Sequence, residues 1–454
     1  MTPVREFVYF LILLLIFSFI LLLWKEEGPA PVSVAEFNEP LVDTLVQAEP
    51  AADSLQTMQT PEDEPATEPK VERELFQPSP FVFAESDSVH LQFLTDRLQN
   101  ANASKLPVRI VYFGDSQIEN DRITSVLRKQ LQAQFAGRGP GFVPLDEYYN
   151  THHRLLIEPS GNWEIKTFQD KDFVNESLLF KNALLTAANP EGWFRIRRIK
   201  RLGPKPDYEL MKLYYTARDS CRLTVRQGKD VIYTGFLLPH ERVSTLDFQF
   251  NRTPDDIRFD FTVRDTLNIA GLSLESGGGV LVDNVALRGL SYPTFDASNQ
   301  EMIHQMLNQV NVGLFVLHFG VNLVPYISNN YRHFERNFQR QISYLKTIRP
   351  EVPILIIGVS DMAKKLDGTY ASYSNIPQIK AIQYELAMKN HTAFWDLQNF
   401  MGGEGAMVQW VNRSPALGRT DYVHFSAEGA AVVGKELARL LLEELKTDRN
   451  LVTQ

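Results

Sequence analysis

Short apolar runs that alternate with segments of helical periodicity are the feature that most constrains the fold of this chain. The runs cover residues 108–113, 312–319, 354–359 and 392–397, and helical spacing follows at 118–135, 331–348, 378–389 and 426–445. Parallel strands that helices cover on both faces have this continuous apolar character. The alternation predicts an α/β fold with a doubly wound parallel sheet.

Between residues 155 and 284 the pattern changes to short segments that are rich in β-branched and aromatic residues. Turn residues separate them, which is typical of an all-β sandwich. We interpret this stretch as a domain inserted between two parts of the α/β unit, at 81–154 and 285–454. Three consecutive domains are the alternative, but they leave too few elements before residue 150 for a stable sheet. The segments are 212–216, 221–227, 230–236, 244–250, 256–263 and 267–274.

Residues 7–24 contain no charged side chain. A helix of that length spans ~27 Å, close to the ~30 Å hydrocarbon core of a bilayer. A cleaved signal peptide has a shorter apolar core with a small-residue site close behind it, whereas the first such site here is at 33–35. We expect residues 1–25 to be an uncleaved, single-pass transmembrane signal anchor in the cytoplasmic membrane. The lipid bilayer is then a partner, and the rest of the chain lies on the extracytoplasmic, periplasmic side.

Residues 26–75 carry thirteen acidic and two basic residues and several prolines. Such a composition cannot bury enough apolar surface to fold, so residues 26–80 are predicted to be a disordered linker, with a small acidic domain as the alternative. The sequence contains no run of lysine and arginine, which argues against a nucleic-acid partner. A single cysteine, Cys221, excludes an internal disulfide and a zinc site built from cysteines.

A serine and a histidine at opposite ends of the α/β unit are candidates for nucleophilic chemistry. Ser116 follows a predicted buried strand and opens a helix, where backbone N–H groups stabilise an anion. His424 is the one histidine of nine that combines a nearby aspartate, Asp421, with a place after the last strand. A serine nucleophile needs such a base and an orienting carboxylate. Taken singly, each residue also fits ordinary turn or structural chemistry.

Gly289 and Asn322 also lie just past predicted strand ends. A glycine N–H can approach a substrate oxygen closely, and an asparagine amide can donate to an oxyanion. Each alone also fits an ordinary turn or cap. The order serine, glycine, asparagine and Asp-x-x-His, with every member at a strand end, indicates serine-type acyl transfer.

Other residues carry weaker signals. Gln117, Asp361 and Lys364 follow strand ends and are candidate substrate contacts. The adjacent histidines His152 and His153 could be metal ligands, but no third ligand is evident, so we expect a loop there and no metal site. Four aromatic residues of the β-rich stretch fit either sugar stacking or the domain core, and the core is favoured. They are Trp163, Trp193, Tyr214 and Tyr215.

The four blocks resemble those of the SGNH/GDSL hydrolase superfamily. The blocks are 114–117, Gly289, 320–322 and 421–424. Residues 114–121 and the later Ala-Gly-Arg-Gly-Pro-Gly-Phe at 136–142 are similar to the O-acetylpeptidoglycan esterase branch. In that branch a sandwich resembling a carbohydrate-binding module is inserted between the first two blocks. The resemblance covers roughly residues 90–445, and it implies an SGNH hydrolase-like, flavodoxin-like form of the parallel sheet.

The resemblance implies a role for each matched residue. Ser116 is the nucleophile, His424 the general base and Asp421 its orienting carboxylate. The backbone N–H groups of Ser116 and Gly289 and the amide of Asn322 form the oxyanion hole. Two positions depart from the usual pattern, since Leu323 stands where an aspartate is frequent and Gln117 where leucine is common.

The resemblance implies an esterase that removes O-acetyl groups from a cell-wall or exported polysaccharide such as peptidoglycan, through an acyl-enzyme and without metal or organic cofactor. One alternative is an O-acetyltransferase that uses the same triad to acetylate polysaccharide hydroxyls, with a membrane protein as acetyl donor. A second alternative is a catalytically inactive glycan-binding protein.

Overall fold

The computed structural model describes residues 76–84, 91–101, 106–145, 155–170, 173, 177–199, 207–297 and 299–452. The predicted anchor at 7–24 and the histidine pair at 152–153 lie outside these residues. Among the residues that are described, no helix is both long and apolar enough to cross a bilayer.

The described residues form nineteen strands, eight α-helices and two short 3₁₀ segments. The strands are β1 (Phe81–Val82), β2 (Val108–Gly114), β3 (Gly141–Val143), β4 (Leu155–Pro159), β5 (Glu164–Thr167), β6 (Lys181–Leu185), β7 (Glu191–Arg198), β8 (Leu210–Ala217), β9 (Cys221–Gln227), β10 (Asp230–Leu237), β11 (His240–Gln249), β12 (Asp256–Thr262), β13 (Leu267–Glu275), β14 (Val280–Ala286), β15 (Asn311–His318), β16 (Ile354–Ile357), β17 (Ala363–Leu366), β18 (Thr369–Ser372) and β19 (Ala393–Trp395). The helices are α1 (Gln92–Gln99), α2 (Thr124–Phe135), α3 (Gln300–Gln309), α4 (Arg332–Ile348), α5 (Ile376–Lys389), α6 (Leu397–Met401), α7 (Ala406–Asn412) and α8 (Ala427–Val452), and the 3₁₀ segments are Ser116–Asp121 and Phe295–Ala297.

A six-stranded sheet in the order β1-β19-β16-β15-β2-β14 forms the centre of the α/β unit. Five strands are parallel and β1 is an antiparallel edge strand. In chain order the parallel strands occupy positions 2-1-3-4-5, which is the flavodoxin-like order. Helices α1, α2 and α8 pack on one face and α3, α4 and α5 on the other. The predicted α/β class with a parallel sheet is therefore confirmed, and the double cover explains why all seven residues of β2 are buried.

Four neighbouring strands reach the same level at their carboxyl ends. In the ladder, Gly114 of β2 is paired with Ala286 of β14 on one side and with His318 of β15 on the other, and His318 is paired with Ile357 of β16. A Cβ atom at Gly114 would lie 3.0 Å from the His318 carbonyl oxygen and 2.9 Å from Ile118 Cδ1. The absence of a side chain at Gly114 thus lets the chain turn tightly where β2 ends.

Two antiparallel sheets form the β-sandwich, in the orders β10-β9-β12-β7-β4 and β11-β8-β13-β6-β5. Inward and outward residues alternate along β9, as a half-buried strand requires. Trp163, Tyr214 and Tyr215 are buried, which confirms the core interpretation for these three. Trp193 is partly exposed, and the guanidinium carbon of Arg258 lies 4.3 Å from its ring centroid.

The strand pairing differs from the predicted domain limits in two places. Residues 280–284, assigned to the sandwich, belong to β14 of the parallel sheet, and β3, assigned to the α/β unit, pairs with β13 of the sandwich. A short apolar run that is buried on both faces has the same pattern in either sheet. The sequence therefore shows that these segments are strands but does not identify their partners.

Two further predictions need correction. The helix expected from residue 118 is preceded by a 3₁₀ segment, because Asn120 and Asp121 have positive φ angles of 58° and 57° that end regular helix. Residues 76–80, assigned to the linker, pack on the folded unit, where Phe76 stacks on Phe400 with ring centroids 5.2 Å apart and Ser79 Oγ donates to the Asp396 carbonyl at 2.8 Å.

A buried ion cluster joins the two sheet systems. Arg109 of β2 donates to Asp283 of β14 at 2.8 Å, and it also contacts Ser273 and Glu275 of β13 in the sandwich. Its guanidinium carbon lies 4.3 Å from the ring centroid of Phe142 in β3. The side chains of Arg109, Asp283 and Glu275 are each at most 2% exposed. One cation therefore neutralises carboxylates from both the parallel sheet and the sandwich.

We expect Arg109→Ala to destabilise the protein by about 3–5 kcal/mol, because it leaves Asp283 buried without a counter-ion and Glu275 with only Lys212, whose Nζ is 3.9 Å from Oε1. Arg197→Ala is the control, since Arg197 pairs with Glu158 at a partly exposed site and its loss should cost less than about 1 kcal/mol. Thermal unfolding of the full-length chain in mild detergent measures both. Equal melting temperatures for the two variants would contradict a structural role for the buried cluster.

Candidate active site

The side chain of Ser116 lies against the ring of His424, although 308 positions separate the two residues. Ser116 directly follows Gly114 and Asp115 at the carboxyl end of β2, and its Oγ is 2.8 Å from His424 Nε2. Parallel α/β sheets bind ligands at this edge, between the strands where the order reverses, and here those strands are β2 and β15.

Asp421 holds the ring of His424 in one orientation. The Asp421 Oδ2 atom is 2.9 Å from His424 Nδ1, and Oδ1 accepts hydrogen bonds from the backbone N–H groups of Val423 and His424, each at 2.9 Å. Partial burial opposes ionisation of this carboxyl, but the hydrogen bonds outweigh it and lower the pKa of Asp421 to about 2. An ionised Asp421 favours the tautomer with the proton on Nδ1, which leaves Nε2 to accept the Ser116 proton.

The turn that carries this pair is fixed by its neighbours. The Arg419 N–H donates to the His424 carbonyl at 2.8 Å, and the Tyr422 carbonyl accepts from the N–H of Ala363 at 3.0 Å. Tyr422 has a positive φ of 60°, and its ring stacks on that of Tyr370 with centroids 3.6 Å apart. The hairpin of β17 and β18 therefore supports the histidine turn.

The candidate oxyanion donors follow the two strands that flank β2. Gly289 lies three residues beyond β14 and is exposed in a turn with φ 86°, and Asn322 lies four residues beyond β15. The Asn322 Nδ2 atom donates to the carbonyl of Leu290 at 3.0 Å, which joins the two segments. An amide nitrogen carries two hydrogens, so one donor of Asn322 remains for a substrate oxygen.

Asp115 links the serine turn to the segment that carries Asn322. Its carboxylate is fully buried and accepts a hydrogen bond from the N–H of Gln117 at 3.0 Å, and its own N–H donates to the His318 carbonyl at 3.1 Å. Burial raises the pKa of Asp115 to about 7, although the N–H groups of Gln117, Val321 and Gly320 oppose the shift. These contacts place the serine turn beside the segment that carries the candidate oxyanion donor Asn322.

A second buried histidine lies behind the serine turn without joining the triad. His318, the last residue of β15, has its Nδ1 atom 3.1 Å from the Tyr112 hydroxyl. Complete burial lowers the pKa of His318 to about 3, which keeps its imidazole neutral. It supports the end of β15 and is not a second base for Ser116.

Two residues that position the histidine turn were not recognised as such from the sequence. Gln117 is fully buried, and its amide donates to the Val423 carbonyl at 2.8 Å and accepts from the Phe425 N–H at 3.4 Å. Arg122 donates to the carbonyls of Ser116 at 2.8 Å and Phe425 at 2.9 Å. Gln117, predicted as a substrate contact, therefore binds both neighbours of His424. Arg122 had no sequence signal, because its partners are distant in the chain.

Two other predicted substrate contacts are placed differently. Asp361 is fully buried and accepts hydrogen bonds from Ser372 Oγ at 2.8 Å and from the Met407 N–H at 2.9 Å, so its predicted role is wrong. Lys364 lies in β17, with Nζ 4.8 Å from the ring centroid of Tyr373. Asp361 ties the hairpin to α7, and substrate contact by Lys364 stays a prediction.

The structure thus brings Ser116, His424 and Asp421 into one hydrogen-bonded chain and joins the Asn322 segment to the Gly289 segment. In the part of the chain that is described, no three His, Cys, Asp or Glu side chains are grouped to hold a metal ion. The arrangement suits attack by a hydroxyl on a carbonyl carbon.

Comparison with known proteins gives similarity at the level of structure. No family model and no curated protein matches the sequence. A solved peptidoglycan O-acetylesterase is similar over 81% of this chain and 99% of its own, with a TM-score of 0.65 and 22% identity. An acetyl xylan esterase covers 35% of this chain and 79% of its own, at TM-score 0.27 and 20% identity. A family two carbohydrate esterase from Cellvibrio japonicus covers 64% and 99%, at TM-score 0.23 and 7% identity.

The last two TM-scores are too low to bear on the fold. The similarity to the peptidoglycan O-acetylesterase extends over almost the whole of that chain and includes both the α/β unit and the sandwich region of this one. The resemblance recognised in the four sequence blocks is therefore confirmed in three dimensions, and this chain has the fold of the peptidoglycan O-acetylesterase.

Proposed function

We propose that the protein is a serine esterase that removes O-acetyl groups from a cell-wall or exported polysaccharide, such as peptidoglycan, through an acyl-enzyme. The continuous chain of hydrogen bonds from Asp421 through His424 to Ser116, at 2.9 and 2.8 Å, carries the proposal. The fold shared with a peptidoglycan O-acetylesterase supports the same class of substrate.

In the proposed first step, Ser116 Oγ attacks the acetyl carbonyl carbon while His424 Nε2 takes the hydroxyl proton. The new positive charge on the imidazole is stabilised by the carboxylate of Asp421, whose pKa is lowered by its hydrogen bonds to His424 and Val423. The oxyanion accepts hydrogen bonds from the N–H groups of Ser116 and Gly289 and from the Asn322 amide.

Collapse of the tetrahedral intermediate breaks the bond to the sugar oxygen, which takes the proton from His424 and leaves as a hydroxyl. Water then attacks the acetyl-Ser116 carbonyl while His424 again serves as base. Release of acetate restores the Ser116 hydroxyl, and each step uses only groups of the triad and the oxyanion hole.

The exposure of the triad fits a polymeric substrate. The side chains of His424 and Asp421 are 23% and 42% exposed, so an ester on a long chain can reach Ser116 without entering a closed cavity.

We also propose that residues 7–24 anchor the protein as a single pass in the cytoplasmic membrane. The linker that follows would let the catalytic unit reach polysaccharide on the periplasmic side.

Purified full-length protein in detergent should release acetate from an aryl acetate and from O-acetylated peptidoglycan. Ser116→Ala should abolish turnover, and Asn322→Ala should lower kcat by about 10²–10³-fold, because one oxyanion donor is lost. Asn308→Ala, at an exposed position of α3, is the matched control and should keep wild-type rates.

Turnover retained in Ser116→Ala would contradict the proposal. Adding a non-acetylated oligosaccharide separates hydrolysis from transfer: free acetate alone supports the esterase, whereas an acetylated oligosaccharide would favour the transferase.

Gln117→Ala and Arg122→Ala should each lower kcat by roughly 10- to 100-fold with little change in KM, because both residues place His424 without touching substrate. Arg122→Lys should recover only part of the rate, since one ammonium group cannot span the carbonyls that the guanidinium bridges. Steady-state kinetics measures the effects, with Arg264→Ala in an exposed turn of the sandwich as control. A rise in KM at unchanged kcat would show that these residues bind substrate instead.

A further inference from the structure

One residue of the histidine turn, Tyr422, has a backbone conformation that residues with a side chain rarely adopt. It immediately follows Asp421, and its φ angle of 60° lies in the left-handed region. Because a Cβ atom is crowded there, the conformation costs free energy and persists only where the surroundings fix it. The Asp421 carboxylate is 2.9 Å from His424 Nδ1, so a change at Tyr422 would move one partner of that hydrogen bond relative to the other. The triad therefore depends on the contacts that hold Tyr422.

The side chain of Tyr422 makes two kinds of contact. It packs on the apolar core between the parallel sheet and α8. Its ring also stacks on that of Tyr370 in β18, with centroids 3.6 Å apart and an angle of 11° between the ring planes. Tyr370 is 39% exposed, so it is the outer ring of the pair. A stacked aromatic pair is stabilised beyond the apolar area that it buries, and Tyr370 therefore restrains the Tyr422 side chain.

The hairpin that carries Tyr370 also holds the backbone of Tyr422. The Tyr422 carbonyl accepts a hydrogen bond from the N–H of Ala363, the first residue of β17, at 3.0 Å. The Tyr422 N–H donates to the Arg419 carbonyl, also at 3.0 Å. In the hairpin register Lys365 of β17 is opposite Tyr370 of β18, so the backbone donor and the stacking ring belong to one two-stranded unit.

The hairpin is itself fixed in place. Asp367 and Gly368 join its strands with φ angles of 46° and 89°, which is typical of a type I′ turn. Among the residues that are described, β17 and β18 pair only with each other, and such a hairpin is marginally stable alone. The buried Asp361 supports it, because its carboxylate accepts hydrogen bonds from Ser372 Oγ at 2.8 Å and from the Met407 N–H at 2.9 Å. The hairpin is thus tied to α7 and presents its outer tyrosine to the histidine turn.

We propose that Tyr370 is a positioning residue of the triad, which keeps Tyr422 in the left-handed conformation and thereby keeps Asp421 on His424. The inference rests on the proposed esterase function and assigns the hairpin of β17 and β18 a part in it. Tyr370 acts through Tyr422 rather than on the substrate, so its loss lowers kcat equally for a small ester and for a polymer.

The first test measures kcat and KM of the full-length protein in detergent with an aryl acetate, which has no saccharide to reach the hairpin. Tyr370→Ala should lower kcat by about three- to tenfold at unchanged KM, the scale of one stacked aromatic pair. Tyr370→Phe keeps the ring and should keep the wild-type rate. Tyr384→Ala is the matched control and should also keep it. Tyr384 is 41% exposed and its ring contacts Phe394 with centroids 5.5 Å apart, but it lies on α5, which carries no triad residue.

Two substitutions of Tyr422 separate the ring from the backbone. Tyr422→Ala and Tyr422→Asn both remove the stack, but asparagine adopts the left-handed conformation more readily than alanine. Tyr422→Asn should therefore retain a kcat about threefold above that of Tyr422→Ala. In either background Tyr370→Ala should cause no further loss, because the ring that it restrains is absent. Thermal unfolding checks that each variant is folded, and the comparison of the two Tyr422 variants tests the inference if Tyr370→Ala is not.

Equal kcat values for Tyr370→Ala and the wild type, or a loss of rate in Tyr370→Phe, would overturn the positioning role while leaving the esterase intact. A higher KM for O-acetylated peptidoglycan at unchanged kcat would also overturn it and would make Tyr370 a substrate contact. Equal rates for Tyr422→Asn and Tyr422→Ala would contradict the role of the left-handed backbone. Absence of turnover by the wild type with every ester would overturn the esterase proposal and this inference with it.

Discussion

The site depends on one constraint, which is that neighbouring strands of the parallel sheet end at the same level. Ala286, Gly114 and His318 are paired across β14, β2 and β15, so the chain leaves all three strands at one edge. Two to four further residues bring Gly289, Ser116 and Asn322 to that edge. The strand order reverses between β2 and β15, and this opens the crevice in which a substrate carbonyl can lie.

The sheet does not set the position of His424, because this residue lies on a separate turn before α8. Hydrogen bonds from the serine turn hold it there: Gln117 binds the backbone on both sides of His424, and Arg122 bridges the Ser116 and Phe425 carbonyls. The base and nucleophile are therefore fixed by contacts made by the residues that follow Ser116. The segment after Ser116 also places Glu119 Oε1 3.5 Å from Arg288 Nη1, next to the candidate oxyanion donor Gly289.

The sequence was sufficient to predict the α/β class with a parallel sheet, because strands covered on both faces appear as continuous apolar runs. It did not predict that β3 pairs with β13 or that residues 280–284 belong to the parallel sheet, since burial alone does not identify a strand's partner. A position just after the end of a strand also does not determine whether the side chain points into the crevice or into the protein interior. Gln117 and Asp361 follow strand ends, as Ser116 does, but their side chains turn into the protein.

The proposed chemistry requires one activated hydroxyl, on Ser116, beside the imidazole of His424 and the oxyanion donors. Covalent labelling of the full-length protein with a fluorophosphonate, followed by peptide mass spectrometry, tests it most directly, because the reagent needs both an activated serine and an oxyanion hole. We expect a single modified serine, Ser116, with labelling strongly slowed in His424→Ala. An unmodified Ser116, or labelling at the same rate without His424, would contradict it.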